Sequence, residues 1–174
     1  MKISTTLLTT LLVCMGQTTN VAYAACNDNI TPSTPAGRFT LNDNGTVTDN
    51  QTGLMWMRCS LGQTWDGTTC TESASTYTWV QALASANESN YANFSDWYLP
   101  NMKEYASIVE TACYNPAINQ TVFPNTPSSG YWSSSPYAYR DNVVWSVGFS
   151  KGEDYLNYKY KFRNIHVRLV RAGQ

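Results

Sequence analysis

Charged residues are scarce in this sequence, and the residues that build common catalytic and metal sites are scarcer. Lys and Arg number 11, Asp and Glu 12, and together they make up 13% of the 174 residues. His166 is the only histidine and no Cys-x-x-Cys pair occurs, so the ligand set of a typical zinc site is missing. No Gly-rich phosphate loop is present either. We therefore expect a protein that is not an enzyme and that needs no cofactor or metal.

A calcium loop is the one metal site that the turns suggest. Asp43, Asn44 and Asp49 lie close together in the sequence, but they lack the full spacing of acidic calcium ligands. Asp and Asn are common in turns because their side chains bond the local backbone. We therefore interpret these three residues as turn formers.

Long hydrophobic runs are also absent. No apolar run approaches the roughly 20 residues that cross a bilayer. The chain begins with Lys2 and a short apolar run to Cys14, and Ala22 and Ala24 then flank a single residue in a small-x-small pattern. This order is typical of a secretory signal peptide. We expect residues 1–24 to be that signal and the mature chain to be secreted, periplasmic or on the cell surface.

Lipid anchoring at Cys26 is an alternative to simple cleavage. Ala24 and Ala25 precede this cysteine and are small, as a lipobox requires. Tyr23, however, stands where an aliphatic residue is expected. We therefore favour cleavage without lipidation.

Cysteine occurs five times, and one of the five lies within the expected signal. The four that remain are an even number in an exported chain, which indicates two disulfides. Cys59 and Cys70 bracket a short polar segment, so we predict a local Cys59–Cys70 bond. The remaining pair, Cys26–Cys113, would tie an N-terminal arm (residues 25–37) to the body of the domain.

The patterns after this arm predict a single α+β domain over residues 38–174. Strands are expected at 38–41, 46–49, 54–57, 143–149, 155–162 and 165–171, with a loop over 114–130. Two helices are expected between them. One covers 79–86 with Thr78 as its N-cap, and the other covers 102–113 with Asn101 as its N-cap and Glu104 completing a capping box.

Charge divides the chain into two parts. Residues 25–130 hold three Lys/Arg and nine Asp/Glu, a net charge of −6, whereas residues 131–174 hold seven Lys/Arg and three Asp/Glu, a net charge of +4. Ten of the 44 residues in this basic end are aromatic. A basic, aromatic surface is more typical of a contact surface than of a catalytic centre.

Period-two alternation in the basic end predicts antiparallel strands with one face on a core. In 155–162 we expect Tyr158, Tyr160 and Phe162, with Leu156, to face the core. The opposite face would then point outward with Asn157, Lys159, Lys161 and Arg163. In 165–171, His166 and Arg168 are expected to point outward. For any single residue, an ordinary solvated sheet face is an equally good interpretation.

We predict a ligand-binding surface on this outward face and on the loop before it. Tyrosine offers a large contact area at low entropic cost, and short polar residues adapt to a ligand. The predicted binding residues are Tyr137, Tyr139, Arg140, Asp141, Asn142, Lys151, Asn157, Lys159, Lys161, Arg163, Asn164 and His166.

Four motifs resemble a known family. They are Gly45-Thr-Val-Thr-Asp49 continuing to Thr52-Gly-Leu-Met-Trp56, then Ser95-Asp-Trp-Tyr-Leu-Pro-Asn101 with Glu104, then Tyr131-Trp-Ser-Ser-Ser135, and Val167-Arg-Leu-Val-Arg171. In this order they resemble the DUF1566 family, which includes the C-terminal domain of the Legionella collagen-like adhesin (Lcl). The resemblance covers about residues 38–174.

The resemblance implies a C-type-lectin-like fold related to the formylglycine-generating-enzyme group, and a role at the cell surface. It also implies binding of sulfated glycosaminoglycans, as in the collagen-like adhesin, although this chain has no Gly-x-y repeat. Some proteins with this ending resemble the variable targets of diversity-generating retroelements.

The sequence therefore favours a secreted or surface-displayed, adhesin-like binding module. Its expected partner is an extracellular glycan, in particular a sulfated one, or a protein, and not a nucleic acid. One alternative is a structural protein of the periplasm or envelope. Another is a formylglycine-generating-enzyme-like enzyme, which would need a reactive cysteine pair, whereas we expect all four mature cysteines to be structural.

Overall fold

The computed structural model describes residues 24–151 and 156–173. Residues 1–23, nearly all of the expected signal peptide, lie outside the described residues. Within the described part, antiparallel sheets combine with two α-helices, which confirms the α+β class. None of the helices in this part is long and apolar enough to cross a membrane.

The strands are short and belong to four sheets. They are β1 (Ala25–Cys26), β2 (Phe39–Leu41), β3 (Thr46–Asp49), β4 (Leu54–Met57), β5 (Thr64–Trp65), β6 (Cys70–Thr71), β7 (Cys113–Tyr114), β8 (Gly130–Pro136), β9 (Val143–Gly148), β10 (Leu156–Tyr160) and β11 (Val170–Ala172). The larger sheets have the orders β11-β4-β3-β2 and β10-β9-β8, and β1-β7 and β5-β6 form two-stranded ladders. The helices are α1 (Trp79–Asn87) and α2 (Met102–Ala106), with single 3-10 turns at Ala36–Arg38 and Tyr91–Asn93.

Two turns shape the four-stranded sheet. Gly45 follows β2 with a φ of +79°, and a Cβ at this position would collide with Trp65 and the Tyr91 hydroxyl. After β3, the buried Asp49 carboxylate pairs with Arg38 and accepts from the Thr52 hydroxyl at 2.7 Å. Burial raises the pKa of the Asp49 carboxyl, but these donors outweigh it and the net pKa is lowered. Asp49 is therefore a turn-forming residue paired with an arginine.

Helix α1 begins as predicted. The Thr78 hydroxyl accepts from the Gln81 backbone N–H, and the Gln81 side chain accepts from the Thr78 N–H in return. Helix α2 also has its predicted capping box, from Asn101 and Glu104. Both N-caps are thus confirmed.

The predicted extent of α2, to residue 113, is wrong, because the helix ends at Ala106. The Glu110 backbone N–H leaves the helical pattern and donates to the Ala117 carbonyl at 3.0 Å. Cys113 then pairs in a strand with Cys26. Ile108 and Val109 are buried as expected, but they lie in turns.

Both predicted disulfides, Cys59–Cys70 and Cys26–Cys113, are confirmed. The second of them joins β1 to β7 and fixes the N-terminal arm to the body.

Glu110 provides a second attachment for the arm. Its buried carboxylate accepts from the backbone N–H groups of Ser33 and Thr34 at 2.9 and 2.8 Å, from the Thr34 hydroxyl, and from the Ala112 N–H. Burial raises the pKa of this carboxyl, but the donated hydrogen bonds outweigh it and the net pKa is lowered. Glu110 is therefore a charged anchor that no basic residue neutralises within the described part of the chain.

Two apolar clusters form the core. One contains Trp56, Tyr105, Phe123, Tyr131 and Phe149 with smaller residues, and lies between the four-stranded and three-stranded sheets. The other contains Trp97, Trp132, Val144, Val167 and Leu169, and packs under α1 through Ala82 and Ala86. The apolar patterns of the sequence suggest Trp56, Trp97, Trp132 and Trp145 as core residues, and the first three are. Trp145 is only half-buried and belongs to neither cluster.

Arg168 is completely buried, although alternation predicts it to point outward. Its guanidinium donates to the backbone carbonyls of Met57 and Arg58 and to the hydroxyls of Ser60 and Thr126. No carboxylate in the described residues lies within salt-bridge distance of it. The outward prediction is wrong because its acceptors come from segments more than 40 residues away, which alternation within one strand cannot reveal.

Replacing Glu110 by Gln should destabilise the protein by about 1–3 kcal/mol, because buried donors lose their charged acceptor. The lowered pKa means that the stabilisation is complete above the ordinary carboxyl pKa of about 4.3 and disappears as the pH falls through the folded-state value. Urea unfolding at pH values from 7 down to 3 should show that the difference in unfolding free energy between parent and variant becomes smaller as the pH falls. A difference in unfolding free energy that stays constant across this range would contradict a charged role for Glu110. The control is Glu88→Gln, at an exposed site.

Replacing Arg168 by Met should cost about 3–5 kcal/mol, as when one partner of a buried charged contact is removed. The exposed Arg163→Met should change stability by no more than about 0.5 kcal/mol. Equilibrium unfolding of the two variants measures both values. Equal losses of unfolding free energy in the two variants would show that the buried contacts of Arg168 contribute little to stability.

Candidate ligand-binding surface

The strand register keeps the two predicted faces of β10 apart, but the tyrosine face is not buried as predicted. Tyr158 lies opposite Trp145, and Lys159 lies opposite Val144. Residues directly opposite each other in an antiparallel pair share a face. Lys159 therefore lies on the side of the buried Val144, and Tyr158 on the side of the half-buried Trp145.

The prediction that Tyr158, Tyr160 and Phe162 face the core is wrong, because all three are exposed. Tyr158 is 48% exposed and Phe162 is 68% exposed. The physical reason is the position of β10 at the edge of its sheet, where the aromatic side lies beyond both core clusters. The side chain of Leu156 lies outside the described residues.

These side chains form part of a larger patch, which we call the aromatic surface. It consists of Tyr137, Tyr139, Trp145, Tyr158, Tyr160 and Phe162. The ring of Tyr137 is central, stacked on Tyr158 with centroids 4.9 Å apart and in contact with Trp145 and Tyr139 at 5.3 and 5.6 Å. Tyr160 and Phe162 form a second stacked pair at 5.5 Å.

The loop between β8 and β9 brings Tyr137 onto this patch. Its backbone N–H donates to the Val143 carbonyl, and the Arg140 N–H donates back to the Tyr137 carbonyl. The loop therefore folds tightly over the tyrosine side of the sheet and not over the lysine side. Tyr139, at its tip, is 86% exposed.

Three cations border the aromatic surface. Arg140 donates to the Tyr160 hydroxyl at 3.3 Å, and the Arg163 guanidinium lies 5.7 Å from the Phe162 ring centroid. Lys159 lines a shallow cavity of about 450 Å³ together with Tyr158, Tyr160, Arg163 and Asn164. The structure thus brings together six of the predicted binding residues: Tyr137, Tyr139, Arg140, Lys159, Arg163 and Asn164.

Lys161 contacts helix α1. Its ammonium lies 4.6 Å from the centroid of the Trp79 ring, and its carbonyl accepts from the Trp79 backbone N–H at 3.0 Å. Its N–H also donates to the Asn142 carbonyl. Lys161 therefore joins the first residue of α1 to the end of β10.

His166 is not part of the aromatic surface. It is half-buried, with its ring 5.4 Å from Tyr131 and its Nδ1 3.1 Å from the Ser75 carbonyl oxygen. Burial lowers the pKa of its imidazole. It lines another cavity, bounded by residues 69–74 and 125–128.

The other predicted residues are exposed but make no side-chain contact with the aromatic rings in the described structure. They are Asp141, Asn142, Lys151 and Asn157. In contrast, Trp145, Tyr158, Tyr160 and Phe162 belong to the surface and were not predicted. The concentration of tyrosine, rather than Leu or Val, in this strand is the signal that indicates them, since tyrosine tolerates a half-exposed position.

The described residues contain no group of three or more His, Cys, Asp or Glu side chains that is arranged to hold a metal ion. At the loop considered for calcium, Asn44 Oδ1 accepts from the Thr46 N–H and hydroxyl. Together with the pairing of Asp49, this agrees with the interpretation of these residues as turn formers.

Comparison with known families gives one match. The family described as the Lcl C-terminal domain matches residues 45–171, which is more than half of the chain. No curated protein matches this chain.

Lys161→Ser should lower the free energy of unfolding by about 0.5–1 kcal/mol, the value of a partly exposed cation–π contact. Lys151→Ser, which removes the same charge from an exposed site, should change it by less than about 0.5 kcal/mol. Parallel urea titrations compare the two. If Lys161→Ser has the same free energy of unfolding as the parent, a structural role for this residue is contradicted.

Proposed function

The chain belongs to the Lcl C-terminal domain family, and from this membership we propose that it is a secreted or surface-displayed, adhesin-like binding module and not an enzyme. We place its ligand on the aromatic surface and its bordering cations. The observation that carries the proposal is the set of stacked aromatic rings left exposed on an edge strand.

Exposed rings in such numbers are unusual on a protein surface without a binding role. Contiguous apolar patches on soluble proteins commonly mark interaction sites. Here the tyrosine rings support one another by stacking, so little side-chain entropy is lost when a ligand covers them. The flat faces of Tyr158 and Tyr139 suit the C–H faces of sugar rings or the side chains of a protein.

The bordering cations favour an anionic ligand. Arg140 and Arg163 each offer a planar guanidinium, which binds a sulfate or carboxylate through two parallel hydrogen bonds. Lys159 adds a third positive charge at the shallow cavity. The best candidate is therefore an anionic glycan, whose rings lie on tyrosine and whose acidic groups meet arginine.

The two disulfides support export, because such bonds persist in oxidising compartments. Cleavage of residues 1–24 as a signal peptide is part of the proposal, and the bonded Cys26 favours a mature protein without a lipid anchor. We also propose the C-type-lectin-like fold that the resemblance implies. Retroelement diversification would be tested by sequencing the locus in related isolates.

Binding to immobilised heparin at low and high salt tests this function. The Arg140→Ser, Lys159→Ser, Arg163→Ser triple variant should bind at least tenfold more weakly than the parent, whereas the exposed control Lys103→Ser should bind normally. Parent binding should fall steeply with salt, since charges are screened over about 8–10 Å at physiological ionic strength. Lys161 is left unchanged in this design because it contacts Trp79.

The Tyr137→Ser, Tyr158→Ser variant tests the aromatic rings themselves. It should also lose heparin binding, with its unfolding transition close to that of the parent. Undiminished binding by this variant would exclude the aromatic surface as the site. If heparin does not bind the parent at all, the anionic-glycan ligand is wrong.

A further inference from the structure

A second cavity, which we call the polar groove, lies apart from the aromatic surface. Its volume is about 760 Å³, within the range of small-molecule sites. One wall is the segment 69–74 after the Cys59–Cys70 disulfide, and the other is the loop 125–128. His166 also lines it, which explains why this residue is not found with the tyrosines.

The two walls are tied to each other. Asn125 Nδ2 donates to the Cys70 carbonyl at 2.7 Å and to the Thr69 hydroxyl at 3.3 Å. Gln63 Nε2 donates to the Asn125 carbonyl at 3.0 Å. With the disulfide behind them, these bonds make the groove a preformed site and not a gap between loose loops.

Several hydrogen-bond donors in the groove are already used inside the protein. The Thr71 hydroxyl donates to the Thr64 carbonyl at 3.1 Å, and the Ser128 hydroxyl donates to Asn115 Oδ1 at 3.0 Å. Both N–H bonds of the Asn125 amide are used in the contacts above. The hydroxyl oxygens of Thr71 and Ser128 and the side-chain carbonyl oxygen of Asn125 retain lone pairs, so the groove offers acceptors to a ligand.

His166 adds another acceptor. A carbonyl oxygen can only accept, so the contact with Ser75 requires the proton of the neutral ring to be on Nδ1. Nε2 is then an unprotonated acceptor. Burial lowers the pKa of the imidazole, which keeps this form dominant at neutral pH.

Among the described residues that line the groove, Glu72 is the only Asp, Glu, Lys or Arg. Its Oε2 accepts from the Thr64 hydroxyl at 3.0 Å, and Oε1 remains for a ligand. The groove therefore combines several neutral acceptors with one negative charge. A single carboxylate is a poor ligand set for Ca²⁺, which takes six to eight oxygen ligands.

We propose that the polar groove binds a small polyhydroxylated molecule that carries a primary ammonium group, which is the chemistry of an amino sugar. The ammonium meets the Glu72 carboxylate, and the hydroxyls donate to the retained lone pairs of Thr71, Asn125 and His166. This site is independent of the aromatic surface, so either one can fail without the other.

Glucosamine is the probe, and the NMR signals of the His166 ring and the Glu72 amide report its binding. We expect saturable shifts in the parent at millimolar concentrations. Glucose, which lacks the ammonium, should bind at least tenfold more weakly. Glu72→Gln should weaken glucosamine binding by a similar factor, while Glu88→Gln, at the end of α1, and Tyr137→Ser with Tyr158→Ser should leave it unchanged.

Equal affinities for glucose and glucosamine, or an unaltered Glu72→Gln variant, would overturn the proposal. So would CaCl₂ that saturates the same signals at lower concentration, or a simple alkylamine that binds as tightly as glucosamine. A second measurement needs no variant. Intermolecular nuclear Overhauser effects should connect glucosamine protons to the His166 ring in the parent protein, and their absence at saturation would exclude the groove.

Discussion

The buried guanidinium of Arg168 is the contact on which the rest of the domain depends. It draws the end of β4, the start of the Cys59–Cys70 loop and the loop containing Thr126 to one point. Its own backbone exchanges hydrogen bonds with the hydroxyl of Tyr105, a buried residue of α2, which fixes this helix to the same point. In the described structure its hydrogen bonds go to carbonyls and hydroxyls, and none goes to a carboxylate. The contact therefore requires all of these segments at once. A partly assembled domain would leave the charge without acceptors.

This interior arrangement allows the surface to be aromatic. The middle strand β9 is buried on both sides along most of its length, so it provides a firm support for the edge strand β10. β10 can then carry tyrosines that contribute little to the core. Ring stacking with Tyr137 replaces the packing that a covered strand would have. The proposed recognition surface and the core thus use different side chains of adjacent strands.

Features determined by nearby residues could be predicted from the sequence, and most of those determined by distant contacts could not. The Cys26–Cys113 disulfide is an exception, because it follows once the local pair is assigned. The caps of both helices depend on residues three positions apart, and the local disulfide on an eleven-residue separation. The end of α2 depends on Glu110, whose backbone meets Ala117 and whose carboxylate meets Ser33. Alternation in β10 correctly separates two faces, but it contains no information about which face another part of the chain covers. For the same reason it placed Arg168 outside and did not associate Lys161 with Trp79.

The last strand, β11, pairs with β4 in the sheet that also holds β2 and β3. Residues 170–172 therefore complete a sheet that the chain began more than a hundred residues earlier. In a polypeptide that emerges N-terminus first from the ribosome, this edge of β4 has no native partner until residues 170–172 are free. Closure of the four-stranded sheet therefore waits until the strands β1 to β10 have all emerged.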